Sequence, residues 1–180
     1  MKALAKSFVF AGRGFLYCLH HERNMRIHLA FTLYMYSFLL FFDFFTLESH
    51  EFALLFIANA LVMMAELLNT AIENTINLLE NKYNKMAKVA KDTAAAGVLV
   101  GAVFSVLIGA VLLWQPEAFQ KMLDYYKQHI GMLAGLIVSL LASLTYIFAG
   151  PLTVWGFITG KPYKPNKNEY GTASPPRKES

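Results

Sequence analysis

The chain has 180 residues, of which 56% are hydrophobic and only 16% carry a charge, and its formal net charge is +4. Soluble domains carry about a quarter charged residues, so this composition argues against a water-soluble globular protein and favours a membrane protein. The length suits one domain or one helical bundle with an appendage. The sequence contains neither G-x-x-x-x-G-K-[ST] nor G-x-G-x-x-G, the motifs of soluble nucleotide-binding folds, and we expect no nucleic-acid partner.

The first 20 residues predict an amphipathic helix on the membrane surface. At about 100° per residue, Leu4, Phe8, Phe15 and Leu19 share one face, and basic side chains such as Lys6 lie opposite. This pattern is typical of an interfacial helix. A helix packed on the bundle is the alternative.

Four apolar blocks follow, and each is long enough to cross the hydrocarbon core as a helix, which needs about 20 residues. The blocks are Leu29–Leu47, Phe52–Leu79, Ala94–Trp114 and Ile130–Ala149. The sequence therefore predicts an all-α, polytopic membrane bundle with four spans. The segment from 161 to 180 is rich in proline and lysine, and such a composition predicts a disordered basic tail.

The basic residues predict the orientation of these spans. Of the 16 Lys and Arg residues, five precede the first block, none separates the first block from the second, and four lie between the second and third. Two separate the third block from the fourth, and five follow the fourth. Because cytoplasmic loops collect Lys and Arg, we expect both termini and the 80–91 loop in the cytoplasm, with the chain in the inner membrane.

The second block carries a polar stripe at helical spacing, formed by Glu66, Asn69, Thr70, Glu73 and Asn77. These residues fall on one helix face, and carboxylates inside a membrane span are costly and usually functional. The stripe fits an enzyme site and equally an ion or proton pathway. A polar seam that only holds the bundle together is a third interpretation.

Lys91 lies at the start of the third block, next to Asp92 and a run of small residues. Lysine is a common point-charge ligand for phosphate, so this position favours contact with a phosphate-bearing ligand. For Lys82 and Lys85 an ordinary cytoplasmic loop is the simpler interpretation.

Three segments together resemble the prokaryotic diacylglycerol kinase family, which includes undecaprenol kinases. They are AELLNTAIE at 65–73, AKDTAA at 90–95 and ERNMRIH at 22–28. Their order and spacing also match, and the resemblance covers roughly residues 6–115. It implies an N-terminal surface helix, three core spans, a homotrimer, and transfer of the γ-phosphoryl group of ATP to a lipid hydroxyl with Mg²⁺.

The resemblance also implies roles for individual residues. Glu66 would be the general base, and Asn69 would position the same site. Glu22 and Glu73 would hold Mg²⁺ against the ATP phosphates. The nucleotide site would include Lys91, Asp92, Glu22 and Tyr83. Asn84 stands where some members have a histidine near the nucleotide.

The chain departs from the family at its C-terminal end, where an additional span follows the three core spans. We therefore expect a membrane lipid kinase core at 1–120, an additional transmembrane segment at 121–160 and the tail at 161–180. The acceptor, diacylglycerol or undecaprenol, stays open, because both present one hydroxyl above a long apolar body. The alternative function is a transporter or ion-conducting protein that uses Glu66 and Glu73.

Overall fold

The computed structural model describes residues 2–79 and 84–160, and their regular structure is entirely helical. The described helices are α1 (Lys2–His21), α2 (Arg23–Phe41), α3 (Ser49–Leu79), α4 (Lys85–Leu113), α5 (Pro116–Gln128), α6 (Ile130–Ala149) and α7 (Pro151–Thr159). This confirms the predicted fold class. The tail predicted at 161–180 lies outside the described residues.

The polar side chains of α2 meet those of α3, and they fix an antiparallel arrangement of the two helices. His28 near the start of α2 lies beside Glu66, and Thr32, one turn later, donates to Asn59 of α3 at 3.0 Å. As residue numbers rise along α2 they therefore fall along α3. Asn59 in turn lies 3.4 Å from the Tyr36 hydroxyl.

α4 packs antiparallel to α3. Its first turns meet the end of α3 where Lys91 donates to Asn77, and Ser105 further along donates to the Ala58 carbonyl at 3.0 Å. Gly101 faces Val62, and a Cβ at Gly101 would come within 3.9 Å of that side chain. An alanine methyl at this position would make an ordinary van der Waals contact, so the two helices lie side by side here without requiring glycine.

α6 runs back along α2 and returns the chain to the end of the bundle where α1 finishes. At the far end, Tyr125 of α5 packs edge-on against Phe42 and Phe44, just after α2. At the near end, the Ile147 carbonyl of α6 accepts a hydrogen bond from Arg26 in the first turns of α2. The helices α2, α3, α4 and α6 therefore alternate in direction.

Three of the described helices are long and apolar enough to cross a membrane, namely α3, α4 and α6. They contain the second and third predicted spans almost entirely and match the fourth from Ile130 to Ala149. The first predicted span, Leu29–Leu47, was placed wrongly. The helix in this region begins six residues earlier and ends at Phe41.

Two local features explain that difference. The polar segment before residue 29 is helical because Arg26 is buried and hydrogen-bonded to backbone carbonyls. The apolar residues after Phe41 leave the helix because their rings pack against α5: Phe44 is buried beside Tyr125, and Phe45 meets Phe119 edge-on. Hydrophobicity alone could not separate this aromatic cluster from the end of a span.

α1 is amphipathic, and only its C-terminal half packs on the bundle. Cys18 and Leu19 are buried together with Met25 of α2, and Phe15 packs against this cluster. Leu4 and Phe8, on the first turns, are largely exposed to the surroundings. An exposed apolar face on a helix that carries basic residues suits the interfacial position predicted for α1.

The buried Cys18 gives a test of how α1 packs. Its side chain is 4% exposed, and burial raises the pKa of the Cys18 thiol above its ordinary value, although a hydrogen bond with Thr70 opposes this effect. Alkylating reagents attack the thiolate, so we expect N-ethylmaleimide at pH 8 to label the folded protein at least about tenfold more slowly than the detergent-denatured chain. Mass spectrometry measures the labelling. Equal rates for the folded and the denatured protein would show that α1 does not pack on α3.

Candidate active site

Glu66 is the most deeply buried carboxylate in the described part of the chain. It lies midway along α3, and only 1% of its surface is exposed. Its Oε1 atom has no hydrogen-bond partner among the described residues. Burying a carboxylate oxygen without a partner is costly, so this oxygen is available for a ligand or for a proton.

The first turns of α2 surround this carboxylate. His28 Nε2 lies 3.8 Å from Glu66 Oε1, and the Asn24 side chain lies within hydrogen-bonding reach of the Glu66 carboxylate. Glu22, which directly precedes α2, is close enough to repel the charged form of Glu66. The corner between α1 and α2 therefore supplies three polar side chains to one point on α3.

An apolar groove of about 200 Å³ lies beside His28. Helices α2, α3 and α4 line it with Phe31, Met35, Leu55, Val62, Val106 and neighbouring side chains, and His28 forms part of its wall. A membrane lipid is an appropriate occupant for such a surface, because the lining offers shape and few polar partners. The groove therefore includes His28, whose ring lies 3.8 Å from Glu66 Oε1, although Glu66 itself is not part of the wall.

A second and more open hollow of about 410 Å³ lies between α1 and α3. Arg13 and Tyr17 contribute to it from α1, and Thr70 and Asn74 contribute from α3. Thr70 follows Glu66 by one turn and donates to its backbone carbonyl at 2.9 Å. Most of its lining surface is apolar, but Arg13 contributes a cation and Thr70 and Asn74 contribute polar groups, so this hollow offers a phosphate-bearing ligand more partners than the groove does.

The predicted stripe on α3 is partly confirmed as a set of inward-facing residues. Glu66 and Thr70 are buried, while Asn69 and Glu73 are half-buried. Asn77 is exposed and accepts a 2.6 Å hydrogen bond from Lys91. The stripe therefore runs from the buried centre of α3 to its surface end.

The remaining predicted nucleotide residues lie around that surface end. Lys91 is held beside α3 by its bond to Asn77, and Asp92, next to it, is exposed. Asn84 begins α4 by accepting from the backbone N–H groups of Met86 and Ala87. Tyr83, the other predicted nucleotide contact, lies outside the described residues.

The predicted Mg²⁺ ligands Glu22 and Glu73 offer only oxygen donors. Mg²⁺ prefers such ligands and usually takes one or two carboxylates together with substrate phosphates. Among residues 2–79 and 84–160 there is no cluster of three or more metal-binding side chains. The chemistry of the carboxylate pair nevertheless fits a metal ion that shares its coordination with a phosphate-bearing ligand.

Comparison with known proteins identifies the family. The prokaryotic diacylglycerol kinase family matches residues 9–113, which is more than half of the chain. The chain belongs to this family. It is a membrane lipid kinase, a phosphotransferase that uses ATP. The resemblance seen in the sequence is confirmed, and none of these findings supports the transport alternative.

Individual relatives agree with this assignment. The chain is 40% identical over 114 residues to an undecaprenol kinase of Bacillus subtilis, which covers 62% of this chain and 88% of the relative. It is 38% identical over 114 residues to a diacylglycerol kinase of Synechocystis, covering 63% of each chain. A diacylglycerol kinase of Escherichia coli is 37% identical over 54 residues, which is 30% of this chain and 44% of the relative. No solved structure matches.

Three residues at the site were not singled out from the sequence. His28 and Asn24 reach Glu66 from another helix, and Arg13 lines the hollow beside Thr70. His28 and Asn24 belong to the 22–28 segment that carries the family resemblance, which was a signal that could have identified them. Arg13 gave no such signal, because a basic residue on α1 is equally expected of a surface helix.

Proposed function

We propose that this kinase transfers the γ-phosphoryl group of ATP to the hydroxyl of a membrane lipid at Glu66. The observation that supports this proposal most strongly is the buried and unpartnered Oε1 of Glu66. His28, 3.8 Å from that oxygen, lines the apolar groove, and Thr70, one turn after Glu66, lines the hollow that contains Arg13. A lipid and a phosphate donor need access to one point, and Glu66 has a neighbour in each cavity.

The acceptor lipid enters along the groove and brings its hydroxyl to Glu66. Oε1 takes the hydroxyl proton as the lipid oxygen bonds to the γ-phosphorus, and the bond from that phosphorus to the β–γ bridging oxygen breaks, leaving ADP. His28 and Asn24 orient the carboxylate, and Asn69, three residues after Glu66, positions the same region. Phosphoryl transfer depends mainly on such positioning and on neutralising charge, with one residue orienting the nucleophile.

The phosphates of ATP lie on the side of the hollow, between Glu66 and the surface end of α3. Glu22 and Glu73 would hold Mg²⁺, which would supply positive charge to neutralise the phosphates. Lys91 contacts the phosphates from the start of α4, and Asp92 and Tyr83 complete the nucleotide site. Arg13 is a further candidate, because its cation lines the same hollow.

We favour undecaprenol as the acceptor, with diacylglycerol as the second candidate. The relative named undecaprenol kinase matches over 88% of its own length, whereas the matched Synechocystis diacylglycerol kinase is covered over 63%. Both lipids present one hydroxyl, so the groove accepts the chemistry of either one. The two lipids differ in the hydrocarbon chain that must fit between α2, α3 and α4.

A direct assay in mixed micelles tests the acceptor. Purified full-length protein, Mg²⁺ and γ-labelled ATP are incubated in parallel with undecaprenol or diacylglycerol at equal mole fraction. We expect label in undecaprenyl phosphate at a kcat/KM at least about tenfold above that for diacylglycerol, a difference of about 1.4 kcal/mol in transition-state binding. A preference for diacylglycerol would reverse the substrate assignment and leave the reaction class in place.

The membrane arrangement follows from the alternating helices. If α2 crosses the membrane with α3, α4 and α6, both termini lie on one side, and the distribution of basic residues places that side in the cytoplasm. The inner membrane is then the site of action, where ATP reaches the hollow.

A homotrimer, as the family resemblance implies, would cover the exposed apolar faces of α3 and α4. The division into a core at 1–120 and an added segment at 121–160 stays a prediction.

A further inference from the structure

Arg26 is a buried cation that joins three helices through backbone carbonyls. Its side chain is 6% exposed. Nη1 donates to the carbonyls of Leu19 and His20 near the end of α1, each at 3.1 Å, and Nε donates to the carbonyl of Ile147 near the end of α6 at 3.0 Å. A guanidinium group can make these bonds together because its donors are fixed in a planar fork.

The Ile147 carbonyl needs a donor from outside its own helix. The group that would normally bond to it is the N–H four residues later, and that residue is Pro151, which has none. A carbonyl left without a partner near the end of a membrane span is costly. Arg26 supplies the missing donor, and its positive charge also suits the negative ends of α1 and α6.

The turn after α6 is shaped for this contact. Gly150 has a φ of 80°, in the region that favours glycine, and a Cβ there would lie 3.8 Å from three atoms of the Arg26 guanidinium. One turn of α2 away from these contacts, the Arg23 guanidinium lies 5.9 Å from the ring centre of Phe148. The end of α6 is therefore fastened to the beginning of α2 at two points.

The same turns of α2 supply polar groups to Glu66. Arg26 lies between Asn24 and His28 in sequence, and both of these reach the Glu66 carboxylate. Met25, beside Arg26, is fully buried in the cluster with Cys18 and Leu19. A shift of this turn would therefore move the groups around the reacting carboxylate.

We propose that α6 is a working part of the catalytic unit, and that Arg26 is the positioning residue that connects it to the active site. α6 lies outside the residues that match the family, so the additional span acts as a brace on the corner between α1 and α2. This brace fixes Asn24 and His28 against Glu66. We call the hydrogen bonds from Arg26 to the carbonyls of α1 and α6 the clasp. The positioning role of Arg26 rests on the proposed function, whereas the clasp does not depend on it.

Two substitutions in the full-length protein test the proposal. Arg26→Lys keeps the charge and loses the planar fork, and Gly150→Ala strains the turn beside the guanidinium. We expect each to lower kcat by about ten- to a hundredfold, because small displacements of reacting groups cost that much. The KM for the lipid should change less, since α3 and α4 still line most of the groove. Hydrogen exchange at residues 148–154 should become faster in both variants.

Matched controls separate this effect from general damage. Lys121→Arg exchanges one cation for the other at an exposed position of α5, and Gly160→Ala strains a second left-handed glycine that has nothing within 4 Å of its Cβ position. Both controls should keep wild-type kcat and exchange at 148–154.

The two readouts distinguish the possible failures. Unchanged exchange in the Arg26→Lys and Gly150→Ala variants of an active kinase would overturn the clasp. Faster exchange with unchanged kcat would overturn the positioning role. If exchange is faster in both variants but the wild-type protein phosphorylates neither lipid, the result would support the clasp and contradict the proposed function.

Discussion

Glu66→Gln should lower kcat for lipid phosphorylation by about 10²–10⁴-fold, the usual contribution of a general acid or base. The amide has nearly the same shape as the carboxylate, but it cannot take the proton of the lipid hydroxyl. Because Glu66 is buried and its Oε1 lacks a partner, solvent cannot readily replace it. Initial rates with saturating ATP and lipid measure the effect.

The control for this substitution is Glu117→Gln, which makes the same change on an exposed residue of α5. It should leave kcat unaltered. The Glu66 variant should also elute from size exclusion like the wild type, because glutamine keeps the shape of the buried side chain. Wild-type turnover in correctly assembled Glu66→Gln protein would exclude Glu66 as the base.

Glu73→Gln should raise the Mg²⁺ concentration needed for half-maximal rate by about tenfold or more and lower kcat at low Mg²⁺. Glu73 lies two turns after Glu66 on α3 and is half-buried. In the proposed site, Mg²⁺ would keep Glu22 and the phosphates as ligands, so losing one carboxylate should weaken Mg²⁺ binding. Even indirect changes at metal sites cost about 10–100-fold. Excess Mg²⁺ should restore much of the lost rate.

A Mg²⁺ titration of initial rates measures this shift. Glu48→Gln serves as the control, because Glu48 is exposed in the segment that precedes α3. A Glu73→Gln variant with the wild-type Mg²⁺ dependence would remove Glu73 from the metal site. If excess Mg²⁺ does not restore the rate of the Glu73→Gln variant, Glu73 acts in a step other than Mg²⁺ binding.

Much of the fold could be predicted because a membrane restricts what the backbone can do. Long apolar runs must form helices, and the sequence places α3 and α6 to within three residues at each end, whereas α4 begins nine residues before the predicted span. It also predicts that Glu66 faces inward, since residues at helical spacing must share a face. These conclusions depend only on the length of the apolar runs and on the helical spacing of polar residues, and both are clear in this sequence.

The rest of the site depends on contacts between distant segments. A hydropathy pattern treats Arg26 as a reason to start the span later, yet Arg26 is buried because carbonyls of α1 and α6 accept its hydrogen bonds. In the same way, the 22–28 segment marks His28 as part of a family motif, but its local pattern does not indicate that the ring lies 3.8 Å from Glu66. The positions of α5 and α7 were not predicted, since both are short and neither is a span.

The most direct test of lipid phosphorylation is the balance between ADP formed and label transferred. Purified full-length protein is given γ-labelled ATP, Mg²⁺ and undecaprenol, with a parallel reaction on diacylglycerol. We predict one labelled lipid phosphate for each ADP and no ADP when the lipid is omitted. ADP released without labelled lipid, or no turnover of ATP with either acceptor by folded protein, would contradict the assignment of Glu66 to a lipid kinase site.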